Sequence, residues 1–492
     1  MSSHRHSRHR HRLRRLDVAA IAFATMLSAA CLAKGAVYDS AIALLVLGSM
    51  PVLWLALDDA RAVHAKLKRI SFSALGFFAL IIMLQYLLPS GDGANSIWQQ
   101  LHEATGAEVV DMSLQDKASW VQGLGRFLFV VIVFTIALLV GSYESSARIF
   151  FQALLISGAV GLSITFFTAT RNGVPSSTFH SYTHGFVNAN NAAAYAGIML
   201  LVTLAQAARF FRMPSRNFYK SILNFIDSLS ISSITNGVFL AFALLLALAG
   251  LFMTGSRAGI LLAILCGTVF CNCVLLRADV QAHMRKWLVV CALGAMAPIL
   301  VWSFMNFGQV IMNKLATNGV SSNSRLDIYA ATLPMIGDYA WLGSGLGSFP
   351  ETFQRYRPTS VSSDGIIDKA HNSYLEFAAE MGIPALIVLL LLFGWFGLQL
   401  YRGFRDRKER YITPALGLSV WLFGGLYSLV DFPLQIPGLA ALFIGIIVVC
   451  VSQTDPSFSE PSHSHSKPSV MDALGPDPMK RVRIRRRRSS RS

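Results

Sequence analysis

IPALIVLLLLFGWFGLQL, residues 383–400, holds one amide side chain, Gln399, and no charge. As a helix rising 1.5 Å per residue it measures about 27 Å, close to the hydrocarbon thickness of a bilayer. A helix satisfies its own backbone, so a run with only apolar surface to offer finds its solvent in lipid. Outward from it, comparable runs recur at 18–36, 41–57, 71–88, 121–141, 149–169, 191–208, 234–253, 258–276, 287–305, 414–430 and 436–452. Of the 492 residues, 54% are hydrophobic and 14% charged, well short of the roughly one-quarter charged residues that clothe a soluble globule. The expected fold class is all-α: a polytopic membrane protein of about twelve transmembrane helices. One large loop, 306–382, lies between spans nine and ten.

Lysine and arginine set the orientation, because they are retained on the cytoplasmic side. With the basic N-terminus inside and the spans alternating, the inside segments hold 32 of the 42 Lys and Arg. No shift by one span gives a comparable asymmetry. Both termini and 209–220 are therefore expected in the cytoplasm, whereas 89–120, 170–190, 254–257, 306–382 and 431–435 face outward. The charged start is long and Ser28-Ala29-Ala30 is a poor cleavage site, so an uncleaved first helix is expected rather than a secretory signal.

Residues 1–16 are His, Arg and Ser for the most part, and 453–492 are rich in Ser, Pro and His before ending in Arg485 to Arg488. Few apolar groups there offset the entropy of ordering, and both tails are expected to be disordered. A Lys or Arg beside an anionic leaflet gains about 1 kcal/mol, which makes anionic membrane lipids the expected partners of the tails. No aromatic platform accompanies these charges, which argues against nucleic acid. The six cysteines (Cys31, Cys266, Cys271, Cys273, Cys291 and Cys450) all fall inside spans without metal-ligand spacing. They read as small buried hydrophobes.

The outward segments carry the chemistry. Arg257 sits in Met253-Thr254-Gly255-Ser256-Arg257-Ala258-Gly259, a tight turn between two spans. An arginine at a hairpin tip can simply snorkel, but two flanking glycines and a helix start suit an anion. Arg171 precedes Thr178-Phe179-His180, His184-Gly185-Phe186 and Asn188-Ala189-Asn190-Asn191, hydroxyl, amide and aromatic groups that suit sugars or an ordinary polar loop. In the long loop, Asn323-Ser324-Arg325-Leu326-Asp327 is expected to start a helix with Asn323 or Ser324 as cap. Trp341-Leu342-Gly343-Ser344-Gly345-Leu346-Gly347 lacks the strand–turn–helix setting of a nucleotide loop and reads as a tight turn. Asp368-Lys369-Ala370-His371-Asn372-Ser373-Tyr374-Leu375-Glu376 then leads into span ten, with Asn372 or Ser373 available as N-cap.

These residue types belong together around a lipid-linked pyrophosphate. Arginine presents a planar fork that matches phosphate oxygens and stabilises a departing anion without a metal. Imidazole can take a proton from an attacking hydroxyl. The implied chemistry is glycosyl transfer with inversion at the anomeric carbon. The outward segments hold no Asp-rich cluster, so neither metal nor cofactor is expected.

At Thr178 to Tyr195, Thr254 to Gly259, Asn323 to Gly347 and His371 to Gly382, the chain resembles the O-antigen ligase family. That family groups O-antigen ligases with O-antigen and exopolysaccharide polymerases. Asp431-Phe432-Pro433-Leu434-Gln435-Ile436-Pro437 is similar to a segment of its polymerase-like members. The resemblance implies a membrane glycosyltransferase of C type over 17–452, with 306–382 as its periplasmic catalytic loop, in the bacterial inner membrane. It implies His371 as catalytic histidine and Arg257 and Arg325 as diphosphate contacts. The third arginine is Arg171, with Arg355 or Arg357 as alternatives. Asn188, Asn190, Asn372, Tyr374, Glu376 and Asp431 are the expected glycan or acceptor contacts. The implied donor is an undecaprenyl-pyrophosphate-linked glycan, and the acceptor a lipid A core sugar, the growing polysaccharide or a protein hydroxyl. A transporter or flippase without covalent chemistry is the reading from another class; its polar groups belong at the bilayer midplane.

Overall fold

The computed structural model describes residues 14–57, 65–87, 117–171, 185–186, 188–210, 231–277, 319–359, 367–407 and 410–454. Among them every regular element is helical. In chain order these are α1 (Arg15–Leu32), α2 (Asp39–Leu57), α3 (Ala65–Leu87), α4 (Lys117–Gly141), α5 (Glu144–Arg171), α6 (Ala189–Phe210) and α7 (Ile231–Met253). There follow α8 (Arg257–Arg277), α9 (Gly319–Asp338), α10 (Phe349–Phe353), α11 (Ser373–Asp406), α12 (Ile412–Tyr427) and α13 (Pro437–Ser452). One-turn 3₁₀ segments occupy Lys34–Ala36 and Pro433–Gln435.

Nine of the described helices are long and apolar enough to cross a membrane, and α12 and α13 are shorter apolar helices. The chain is an all-α, multi-pass membrane protein. Eleven of the expected spans fall on these helices, and 287–305 lies outside the described residues. The centre is built from helices that are apolar all round, the pattern of an element surrounded by others. In α13 nearly every residue is buried, and α6 is buried from Asn191 through Val202. Around them pack α1, α4, α8 and α12. Close approach depends on glycine: a Cβ at Gly438 would lie 2.7 Å from the Ala30 carbonyl oxygen of α1. On the outer helices, Leu44, Leu245 and Leu391 are 65–70% exposed. Apolar side chains standing outward on several helices form a surface that lipid covers.

Three expectations need correction. The first helix takes in Arg15 and Leu16, because Asp17 accepts from the Arg14 N–H at 3.1 Å and Leu16 is buried. At the other end Gln453 is held by its Nε2, which donates to the Gly141 carbonyl at 2.6 Å. The rest of the tails lies outside the described residues. Third, α9 begins at Gly319, ahead of Asn323 and Ser324, so neither is its cap. The helical cost of Ser and Asn is small, of order 0.5 kcal/mol each. Ile328, Met335 and Tyr339 repay it by packing against Phe349, Phe353 and Ala379.

The loop expected at 306–382 is therefore largely structured. α11 starts at Ser373, ten residues before the expected span, and is broken at Gly382 (φ 82°, ψ 165°). Into that break fits the glycine turn, with Gly343, Gly345 and Gly347 all at positive φ. Ser344 N–H donates to the Ala379 carbonyl, Gly345 N–H to Glu380 and Ile383 N–H to Ala340. Gln85 of α3 closes the junction, its Nε2 donating to the Leu342 and Glu380 carbonyls.

Candidate functional site

Helix polarity brings one set of ends together. The start of α6, the start of α8, the start of α11 and the end of α12 meet where the chain turns through 428–436. Asn188 Oδ1 accepts the Asn190 N–H at 2.7 Å at the start of α6. Asn372 caps α11, its Oδ1 accepting from Tyr374 N and Leu375 N at 3.0 and 3.2 Å. Its Nδ2 donates to the Leu429 carbonyl at 3.1 Å. Ser373 reinforces the joint, its N–H donating to the Ser428 carbonyl and its hydroxyl to Gln435 Oε1, each at 2.8 Å.

Asp431 is the hub of this meeting. Its carboxylate is 1% exposed. Oδ2 accepts the Asn190 Nδ2–H and lies 4.0 Å from Arg325 Nη2. Oδ1 accepts the Phe432 N–H at 2.9 Å and lies 3.8 Å from His371 Nδ1. Arg325 Nη1 also donates to the Val430 carbonyl at 3.3 Å. Burying a carboxylate is costly unless it is paired and hydrogen-bonded in this way. The cluster therefore joins four segments that are remote in sequence.

His371 sits at φ 52°, in the left-handed region that side chains with a Cβ avoid at a cost of about 1–2 kcal/mol. Surrounding bonds hold it there. Its carbonyl accepts the Tyr329 hydroxyl at 2.8 Å, and the preceding Ala370 N–H donates to Glu376 Oε2 at 2.8 Å. Burial raises the Tyr329 phenol above its usual value, so it remains a donor. The His371 ring meets Phe432 edge-on at 5.0 Å between centroids. Strain held in place by several independent contacts is a mark of functional positions.

Arg257 opens α8 and is exposed. Its neighbours tie that turn to the hub: Ser256 Oγ accepts the Gly259 N–H and lies 3.2 Å from the Tyr427 hydroxyl. Tyr427 in turn donates to the Asn190 carbonyl at 2.7 Å. A Cβ on Gly259 would meet Ala193 at 2.5 Å, so the second glycine of the motif serves helix packing. Tyr427 was not singled out from sequence, although it stands one turn ahead of Asp431 on the same helical end. Tyr329 was missed likewise.

The remaining candidates are placed differently. Glu376 is 1% exposed and bound to Lys369 Nζ at 3.1 Å as well as to Ala370 N. Its carboxylate is committed to shaping the His371 turn. Burial opposes the charge on Lys369, but the Glu376 and Glu380 carboxylates outweigh it and hold the amine above its ordinary value. Tyr374 donates its hydroxyl to the Gly425 carbonyl at 3.0 Å. Arg357 donates to Gln354 at 3.2 Å beyond α10, and Arg355 is exposed. The side chain of Arg171 lies outside the described residues, as do 172–184.

Beside the cluster an apolar cavity of about 320 Å³ runs between α3, α4, α11 and α13. Ser373, Tyr374 and Arg126 line it near the site end, and Phe134, Phe396 and Val448 lie further along the helices. Arg126 Nε is buried without a hydrogen-bond partner. Polar groups above and an apolar channel below suit an amphiphile.

No curated protein matches the chain. A family model described as O-antigen ligase matches residues 242–390, the stretch that carries Arg257, Arg325 and His371. This segment is thus similar to the O-antigen ligase family, and the match supports that family for the chain.

Proposed function

We propose that this protein transfers a glycan from a polyprenyl pyrophosphate to an acceptor hydroxyl at the periplasmic face of the inner membrane, with inversion. The observation that carries this reading is the convergence of His371, Asp431 and Arg325 at helix ends above an apolar cavity. With Nδ1 turned toward Asp431, Nε2 is the nitrogen left to face an acceptor. The acceptor oxygen bonds to the anomeric carbon as its proton passes to Nε2. The bond from that carbon to the pyrophosphate oxygen breaks, and polyprenyl pyrophosphate departs with the electron pair. Asp431 stabilises the imidazolium that forms, the role a carboxylate plays beside a catalytic histidine. Arg257 and Arg325 take up the charge on the leaving diphosphate, with Arg171 as a third contact. Asn188, Asn190 and Asn372 border the space for sugar. No metal is assigned a role.

Ligase and polymerase differ in acceptor alone, and the basic orientation signal favours a cytoplasmic location for both termini. The test is purified protein with a polyprenyl-pyrophosphate-linked glycan and two acceptors, lipid A core and the glycan itself. Product with an inverted anomeric linkage on one acceptor is expected. Movement of the lipid-linked glycan across a bilayer with no covalent product would make the protein a transporter instead.

A further inference from the structure

A second cavity lies at the opposite end of the bundle from His371. α5 begins there at Glu144, α6 ends there at Phe210, and α12 begins there at Ile412. Its volume is about 550 Å³, within the range of small-ligand sites. Three guanidinium groups line it, from Arg148, Arg209 and Arg410, against one carboxylate, Glu144. Glu144 is already shared, lying 3.1 Å from Arg148 and 2.6 Å from Arg410.

The side chains that Arg209 hydrogen-bonds to are neutral, while the Glu144 carboxylate and the Arg148 guanidinium act on it electrostatically. Nη1 donates to Gln206 Oε1 at 3.2 Å, Nη2 donates to Thr413 Oγ1 at 2.8 Å, and the guanidinium lies 5.3 Å from the Phe151 ring centroid. Gln206 is 8% exposed and its Nε2 is buried without a partner. Arginine keeps its proton in protein interiors, and its fork matches phosphate oxygens. An amide N–H beside that fork adds a donor suited to the same anion. Leu155, Ile156, Phe239 and Leu240 complete the lining, so the ligand that fits has an apolar part as well.

We propose that this cavity binds the phosphodiester headgroup of an anionic phospholipid, with Arg209 and Gln206 as its principal contacts. The assignment is independent of glycan transfer, because the cavity is at the other end of the helices. It is also distinct from the attraction of the basic tails to a membrane surface: this site is a preformed pocket with a buried amide beside a half-buried guanidinium.

The experiment uses the full chain in detergent, with thermal unfolding and native mass spectrometry. Dioleoylphosphatidylglycerol, dioleoylphosphatidylcholine and inorganic phosphate are added separately at equal concentration. Phosphatidylglycerol should raise the midpoint by several degrees and stay bound, and phosphatidylcholine should do so much less. Arg209→Gln should lose most of that shift. Gln206→Met, which removes the amide and leaves the charges alone, should weaken retention of the lipid severalfold, and it serves if Arg209→Gln does not fold. Replacing Arg485 to Arg488 by serine should leave the shift intact. Equal shifts in the wild type and the folded cavity variants would overturn the site. Reproduction of the shift by inorganic phosphate would overturn the lipid as its occupant.

Discussion

His371 Nδ1 stands 3.8 Å from Asp431 Oδ1, across sixty residues of sequence, and makes no hydrogen bond of its own. The gap is slightly too long for a bond and short enough for strong charge attraction at low dielectric. A base that becomes cationic during turnover gains most from a carboxylate held at such a place. His371→Ala should therefore lower single-turnover rate by about 10²–10⁴-fold, the usual worth of general base catalysis, with donor affinity nearly unchanged. Asp431→Asn should slow the same step while donor still binds. A His371→Ala protein that keeps most of its rate sinks the assignment.

Arg257→Lys keeps the charge at the start of α8 and loses the planar fork. Turnover should fall by one to two orders of magnitude at normal membrane level, on the order of 1.4–2.8 kcal/mol of transition-state stabilisation. Near-normal turnover would leave Arg257 as an interfacial anchor.

Lys369 and Glu376 form a buried pair under the His371 turn. Removing one partner strands the other, which typically costs about 3–5 kcal/mol. Lys369→Met should lower the thermal midpoint markedly, and Lys369→Met with Glu376→Gln should recover part of it. The sign with pH follows from the raised value of Lys369. Its contribution is complete below the ordinary lysine range and is lost as pH rises through the raised value. A double variant no more stable than the single would show that the carboxylate was not left uncompensated.

Gly343 and Gly382 lock the glycine turn into the break in α11. A Cβ on Gly343 would lie 2.1 Å from the Glu380 carbonyl oxygen, and one on Gly382 would lie 2.4 Å from that of Trp341. Both residues also have positive φ. Gly343→Ala and Gly382→Ala should each cost several kcal/mol or abolish accumulation. Gly337→Ala, where nothing lies within 4 Å, should be neutral or slightly stabilising, as expected for alanine in a helix. Equal accumulation of all three would mean that the turn is free to move away.

Orientation is open to labelling in intact cells. A cysteine placed at Ser362 should react with an impermeant maleimide, whereas one placed at Ser215 should not. Modification at Ser215 reverses the topology.

Apolar run length and a low charge fraction were enough to read a multi-pass helical bundle, because a chain in lipid has few ways to satisfy its backbone. Charge near a membrane is costly and is seldom idle, which drew attention to His371, Arg257 and Arg325, whereas Asp431 was named through the family resemblance. Contacts between remote segments were not legible. Nothing local announces that Asp431 sits between Asn190, His371 and Arg325, or that Tyr427 bridges Asn190 to Ser256. The same holds for Glu376, expected as a sugar contact, whose carboxylate accepts from Lys369 and from the Ala370 N–H. A helix-start carboxylate reads alike in either role, and its partner is chosen by how α11 meets the turn before it. Even the glycine turn read as local, although its positive-φ residues exist to let backbone touch backbone at Gly382. Periodicity and composition record which solvent each residue prefers. Which groups share a site is decided by packing of helix ends that lie far apart along the chain.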